Sequence, residues 1–462
     1  RIANLIKTSK AKPWEILAIT FTNKAANEMK KRIRHMIGDY DTGFVCTFHG
    51  FCVKLLREDI HTMHYPENFL VIDSEDVDTI LRTVYQEAHI DSKRYTFSMA
   101  KEMIAARKYL GEHIPYVLET DIRILKERYL KSVKNEERIF FGYLYEQRKC
   151  FGLDYDDLIL FALHILENFE DKRDKWQKRL EYIMVDEFQD VSSSQYALVT
   201  ILSDYHKNLF VVGDPDQTIY TWRGARIEYI LDFDKKFPSA ATIIMDRNYR
   251  SSENILNASN SLIKKNKKRL DKELKAVGRS EVPVIYHHAR TTKEEAAFIV
   301  KQINNVVAAG KSLNDITILY RSHFVSRSLE EEFIKEKMPY VLYSGIEFYK
   351  RKEIKDILSY FRMLIFEDDL SFLRVVNVPR RNIGDKRIQL LKDYANEHNC
   401  SLYKALKENQ EHELILKSDA DTFVELIDKY QKLYKEMKLT DLLTSILNDS
   451  GYESMLRTSG EN

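Results

Sequence analysis

Ile183-Met-Val-Asp-Glu-Phe-Gln-Asp190 decides the fold. A short apolar run that ends abruptly in Asp186 and Glu187 reads as a buried strand delivering two carboxylates at its carboxyl end. That is the edge at which open α/β sheets carry their chemistry. Leu209-Phe-Val-Val-Gly-Asp-Pro-Asp-Gln217 repeats the design after a gap that fits a crossover helix. Ile16-Leu-Ala-Ile-Thr-Phe21 is a third such run, and Asn23 to Ile37 behind it carries helix-forming residues of mixed charge. The chain therefore opens inside an α/β sheet.

Outward from these strands, the pattern from about Asp73 to Cys150 turns helical and charged, as expected of an insertion into the sheet domain. Strand–helix alternation then resumes and runs to about Asn248. Val282–Tyr286, Asp315–Tyr320 and Tyr340–Tyr343 predict further strands, so a second α/β sheet is expected to begin near Tyr249. Past Glu353 the sequence is helical to its end.

A chain of 462 residues has room for about three or four folded units. Lys+Arg 72 against Asp+Glu 71 leaves a net charge of +1, so a nucleic-acid partner has to show in local arrangement. Cys46, Cys52, Cys150 and Cys400 show no paired metal spacing, and no leader-like apolar segment opens the sequence. Nothing approaches the ~18 apolar residues of a membrane helix. These features lead us to expect a reduced, cytosolic protein with no membrane partner.

Phosphoanhydride cleavage needs a magnesium site, an oriented water and cations where charge builds on the γ-phosphate. Asp186 suits the metal, held through water, and Glu187 suits the general base. Taken alone, the pair equally fits a strand end capped by solvated acids. Gln217 is placed to sense the terminal phosphate and Arg250 to act as an arginine finger. Their plainer readings are a turn residue and a surface ion pair. Thr218-Ile-Tyr-Thr-Trp-Arg-Gly-Ala225 shifts the balance, because Tyr220, Trp222 and Arg223 follow directly on the phosphate sensor. Aromatics on loops stack bases without sequence preference, although most tryptophans pack in cores. Phe21 with Thr22, Asn23 and Lys24 repeats the theme, as does Thr47-Phe48-His49-Gly50. Three strand ends, each mixing a ring with hydrogen-bond donors, predict a track for a single strand across one sheet.

Together these stretches closely resemble the superfamily 1 DNA helicases of the UvrD/Rep/PcrA type, most like the PcrA group. Ala18–Ala26 resembles motif Ia, Thr47–His49 motif Ib, Val185–Asp190 motif II, Val212–Ala225 motif III and Asn248–Ser252 motif IV. The likeness runs over nearly the whole chain. It implies an α/β fold of two RecA-like P-loop NTPase motor domains with parallel sheets, each carrying a mainly helical insertion. The corresponding division is 1–72 and 151–248 for the first motor, 73–150 for its insertion, 249–348 for the opening half of the second motor and 349–462 for the second insertion. Phe348–Asp356 would mark where that insertion starts.

The resemblance also implies function: ATP-dependent 3′-to-5′ DNA unwinding and single-strand translocation in repair or replication, with ATP and Mg2+ as cofactors. Partners would be single-stranded DNA and single/double-strand junctions, with repair or replication proteins, in a bacterial cytoplasm and on the nucleoid. Tyr249 would stack on adenine, Arg250 would contact the γ-phosphate, and Phe21, Tyr220 and Trp222 would stack on single-stranded DNA. Arg223 would couple the track to the nucleotide. Val378–Asp385 resembles the loop that touches duplex backbone, through exposed N–H groups that include Asn382 and Gly384, with Arg380 or Arg381 as phosphate partners. The family more often has Gly where this chain has Asn382, a residue that also tolerates the left-handed conformation.

The Gly-x-x-x-x-Gly-Lys-Ser/Thr loop that wraps phosphates does not occur in the sequence, and neither do motifs V and VI. Gly310-Lys-Ser312 is a decoy: position 305 is Asn, and the triplet precedes a predicted strand instead of following one. It reads as a helix-ending turn. Arg1–Ile6 resembles the helix that follows the phosphate loop, so a truncated segment with little ATP hydrolysis of its own is expected. The helicase subunit of an AddA/RecB-like helicase–nuclease and a non-catalytic DNA-binding relative remain as alternatives.

Overall fold

The structure is a computed structural model that describes residues 1–9, 11–38, 41–278, 282–322, 325–343 and 352–459. Its contacts divide the chain into two units, Arg1–Ala241 with Lys352–Asn462, and Thr242–Arg351. In the first unit a four-stranded parallel sheet has the order β2-β1-β5-β6, where β1 is Ile16–Ile19, β2 Phe44–Cys46, β5 Tyr182–Val185 and β6 Leu209–Val211. These are the strands predicted from the apolar runs, and helix Asn23–Ile37 also falls where its sequence placed it. Helix Ser193–Ser203 provides the crossover between β5 and β6.

Strands β1, β2 and β5 are buried on both faces, which is why they read as unbroken apolar runs, while the edge strand β6 leaves Phe210 exposed. Leu17, Ile19, Ile183 and Val185 pack into the larger core with Phe51, Leu55, Leu158 and Phe161, while Ile16, Ala18, Val45 and Met184 pack with Leu5 and Ile33. Because every strand points the same way, everything that follows a strand lies on one edge of the sheet. The helix starts on that edge are capped by side chains: Thr22 Oγ1 accepts from Ala25 N at 3.1 Å, and Thr47 Oγ1 from Gly50 N at 3.1 Å.

A two-stranded parallel pair, β3 (Leu70–Val71) with β4 (Gly152–Leu153), brackets the helical stretch between them. That stretch has its own core of Ile80, Val84, Ile104, Leu125, Phe140 and Tyr143. Helices from Lys352 onward form a further core around Phe372, Tyr403, Phe423 and Ile427. The two helical parts meet through charge: Lys355 Nζ lies 2.8 Å from a Glu75 carboxylate oxygen, and Arg374 contacts Asp356 at 2.9 Å and Glu75 at 3.2 Å.

The second unit corrects part of the sequence reading. Val282–Tyr286, Asp315–Tyr320 and Tyr340–Tyr343 do not join a ladder among the described residues. The paired strands there are β7 (Arg247–Asn248) and β8 (Lys275–Ala276). An apolar run becomes a parallel strand only when neighbours take up its N–H and C=O groups and cover its faces. Val282, Val284, Tyr286, Leu319 and Tyr343 instead stand exposed. Helices Thr292–Ala308 and Ser326–Lys335 pack through Ala296, Val300, Ile303, Leu329 and Phe333. Gly310, at φ +90°, closes the first of these helices, so Gly310-Lys-Ser312 is a helix-ending turn. Phe348–Arg351 lies outside the described residues.

Candidate functional site

Strand β5 leaves the sheet at its two acids. Asp186 N still donates to Ile19 O on one side at 2.9 Å, whereas Phe188 N donates to Val212 O on the other at 2.9 Å. Switching neighbours within three residues places Glu187 in the left-handed region at φ +53°, a strained choice for a residue with a Cβ. The result is an exposed Glu187 carboxylate beside a half-buried Asp186. Burial first, and then the charge of Glu187, raise the Asp186 pKa, so a cation at this point would be welcomed electrostatically.

Gln189, which the sequence reading passed over, ties the acids to the next strand. Only 1% exposed, it donates from Nε2 to Glu187 Oε2 at 2.8 Å and accepts from Asp214 N on Oε1 at 3.0 Å. Asp214 Oδ2 in turn accepts from Gln217 Nε2 at 2.8 Å. Glu187 and Gln217, predicted separately, therefore stand at the two ends of one hydrogen-bonded chain. Gly213 makes the close approach possible, since a Cβ there would sit 2.6 Å from Gln189 Oε1 and 3.0 Å from Phe188 N. The signal for Gln189 was its position two residues after Glu187, inside the decisive stretch.

Beyond Gln217 the chain crosses to the β1 end of the same edge. Phe21 stacks on Tyr220 with ring centroids 4.8 Å apart and planes at 24°, and Trp222 follows at 6.3 Å, 71% exposed. The Arg223 guanidinium lies 4.6 Å from the Trp222 ring and 5.2 Å from that of Tyr220. This platform is tethered to the acid-bearing loop, because Arg226 N donates to Val191 O at 3.3 Å and Ser192 bridges Ala225. Thr22, Asn23 and Lys24 are exposed at the start of the neighbouring helix. A helix N-terminus favours an anion such as a backbone phosphate.

Phe48 is a correction. It is 6% exposed and belongs to the sheet's core, because the first turn of helix Phe48–Asp59 directs it inward. The exposed partner of His49 is Tyr155, which sequence reasoning missed: the two rings meet edge to face at 5.4 Å, and Tyr155 is 46% exposed. Its signal was an aromatic among the acids of Leu153-Asp-Tyr-Asp-Asp157, at the first turn of a helix. Burial lowers the His49 pKa, which leaves a neutral imidazole to stack or hydrogen-bond.

Arg381 is the second correction. At 5% exposure it donates to Val375 O at 3.0 Å, Val376 O at 3.2 Å and Tyr360 Oη at 3.0 Å, so it knits the helices together and cannot reach a phosphate. Arg380 is exposed, and Asn382 and Gly384 are exposed on the same loop, with Asn382 at φ +59°. Arg381→Met is expected to cost on the order of 3 kcal/mol in urea unfolding, since buried acceptors lose a charged donor. An unchanged midpoint would contradict the structural role. Tyr249 and Arg250 lie on the second unit, where Tyr249 is exposed and Arg250 N donates to Asn248 Oδ1 at 2.9 Å.

The sequence model described as the UvrD/REP helicase N-terminal domain matches residues 1–238, and that of the UvrD-like helicase C-terminal domain matches 243–452. The chain belongs to the UvrD-like helicase family. Its parallel sheet is accordingly of the RecA-like P-loop type. Proteins named ATP-dependent DNA helicase PcrA from Staphylococcus epidermidis and Staphylococcus aureus are 37% identical to it over 99% of this chain. The chain spans 62% of the length of these curated relatives. No helix in the described part of this UvrD-like chain is long and apolar enough to cross a membrane.

Among the described residues no group of three or more His, Cys, Asp or Glu side chains could enclose a metal. The two acids at the β5 end nevertheless suit magnesium, which keeps several waters and needs only one or two carboxylates when substrate phosphates supply the rest.

Proposed function

We propose that the protein is an ATP-driven DNA helicase that translocates 3′ to 5′ along single-stranded DNA at single/double-strand junctions, in repair or replication. The observation that carries this reading is the shared sheet edge: two strand-end acids, and a stacked ring platform tied to their loop by backbone hydrogen bonds. When bound, Mg2+ would neutralise charge on the β- and γ-phosphate oxygens. Asp186 would hold it through water, Glu187 would take the proton of the attacking water, and Gln217 would sense the terminal phosphate. Tyr249 and Arg250 are assigned to the adenine and the γ-phosphate. Phe21, Tyr220, Trp222 and the His49/Tyr155 pair would stack bases, with Thr22, Asn23, Lys24 and Thr47 on phosphates. Arg380, Asn382 and Gly384 are assigned to duplex backbone. In domain terms, 1–72 with 151–248 would be one motor, 73–150 its insertion, 249–348 the opening of a second motor and 349–462 a second insertion.

The coupling we envisage runs through Gln189. A change at the terminal phosphate felt by Gln217 passes to Asp214, Gln189 and Glu187 along one hydrogen-bonded chain. The same loop carries the rings onward. The test is unwinding of tailed duplexes with ATP and magnesium, by a protein that carries this chain at its relatives' full length. Unwinding from 3′ tails alone is expected. Unwinding only from 5′ tails would overturn the direction, and none from either would overturn the activity.

A further inference from the structure

A buried charged cluster joins the helical stretch 73–150 to the sheet domain and has no part in the roles assigned above. Lys108, at the end of helix Phe97–Tyr109, is 1% exposed, and its ammonium donates to Asp154 Oδ2 at 2.6 Å and to Asp157 Oδ2 at 2.8 Å. Tyr143 Oη donates to the same Asp154 oxygen at 2.6 Å, and Gln147 Nε2 to the same Asp157 oxygen at 2.6 Å. His113 stands 3.6 Å from Asp157 Oδ1, but burial and then the charge of Lys108 hold its pKa down to about 3. The imidazole is therefore neutral, and the Lys108 ammonium is the cation that contacts both carboxylates directly.

Those carboxylates are also the cap of helix Tyr155–Asn168. Asp154 Oδ1 accepts from Asp157 N at 3.0 Å, and Asp157 Oδ2 accepts from Asp154 N at 3.1 Å. Tyr155 is the residue between them that projects to the surface, edge-on to His49. Burial, followed by the nearby charge of Asp154, already pushes Asp157 up. With no cation, one carboxylate must take up a proton or the box must open, and either event moves the turn that carries Tyr155.

We infer that Lys108 is a positioning residue which, by bridging the two carboxylates of the Asp154–Asp157 capping box from within the helical stretch, fixes Tyr155 against His49 and sets the grip of that end of the track on single-stranded DNA. The inference rests on the proposed function. It makes the insertion a determinant of strand binding through a residue that never touches the strand.

The test uses the full chain and a fluorescent oligothymidylate, with affinity read by anisotropy. Lys108→Met is expected to weaken binding about tenfold, the equivalent of one stacked base. Three further results are expected: Asp157→Asn added to Lys108→Met restores most of the affinity, Tyr155→Ala alone produces the same loss, and Lys108→Met has no added effect in the Tyr155→Ala background. An equal loss in both backgrounds would mean that the cluster only holds the fold together, and would overturn the inference. So would unchanged affinity in Lys108→Met while the unaltered chain binds. If Lys108→Met does not fold, Asp157→Asn with Lys108→Met carries the same comparison: loss of affinity in that pair despite a native melting curve would also overturn it. Failure of the unaltered chain to bind the oligonucleotide would defeat the single-strand reading itself.

Discussion

Glu187→Gln, in a protein that carries this chain together with a phosphate-binding loop, is expected to reduce DNA-stimulated ATP turnover by about 10²- to 10⁴-fold, the usual contribution of a positioned general base. The substitution keeps shape and removes only the proton acceptor. Its amide oxygen can still accept from Gln189 Nε2, which now lies 2.8 Å from the carboxylate, so the chain to Asp214 and Gln217 survives. The left-handed backbone at φ +53° is fixed by the hydrogen bonds of Asp186 and Phe188 to opposite neighbours, not by the side chain. Nucleotide and single-strand affinities should therefore stay near those of the unaltered protein. Turnover within about threefold of normal would remove Glu187 from the base role. Loss of nucleotide binding alongside turnover would reassign it to the metal, the role proposed for Asp186.

Loss of a stacking ring is the second large effect. Trp222→Ala should weaken single-strand binding by about 5- to 150-fold, the range for one stacked base. Trp222 is 71% exposed, so its removal opens no cavity and stability should hold. Phe21→Ala should cost at least as much, because Phe21 supports Tyr220 at 4.8 Å as well as offering its own face. A loss that comes from stacking leaves the salt dependence of binding nearly unchanged, whereas loss of a phosphate contact flattens it by about one unit of slope. Unaltered affinity in both variants, or a flattened salt slope, would sink the ring platform as the base-binding element.

The two corrections have one cause. Phe48 and Arg381 carry the right chemistry at the right position in a motif, yet in each case a neighbour one residue away is the more accessible side chain. At the first turn of a helix the side-chain direction changes by about 100° per residue, so His49 is part-exposed beside Tyr155 where Phe48 faces the sheet core. In the Val378–Asp385 loop, Arg381 finds backbone carbonyls at 3.0 and 3.2 Å while Arg380 meets solvent. The expected strands of the second unit erred differently: their apolar content was read correctly, but pairing is a property of neighbours and not of the run itself.

The sequence by itself located the four strands of the first unit's sheet and the residues that follow each of them, because short apolar runs that stop at polar residues mark where a buried strand can end. Tertiary structure alone decided which side chains meet. Gln189 between Glu187 and Asp214, Tyr155 against His49 and Lys108 between two capping acids are each contacts between segments far apart or turned by local geometry. No periodicity records such contacts, since they depend on how separate segments come together in the packed chain.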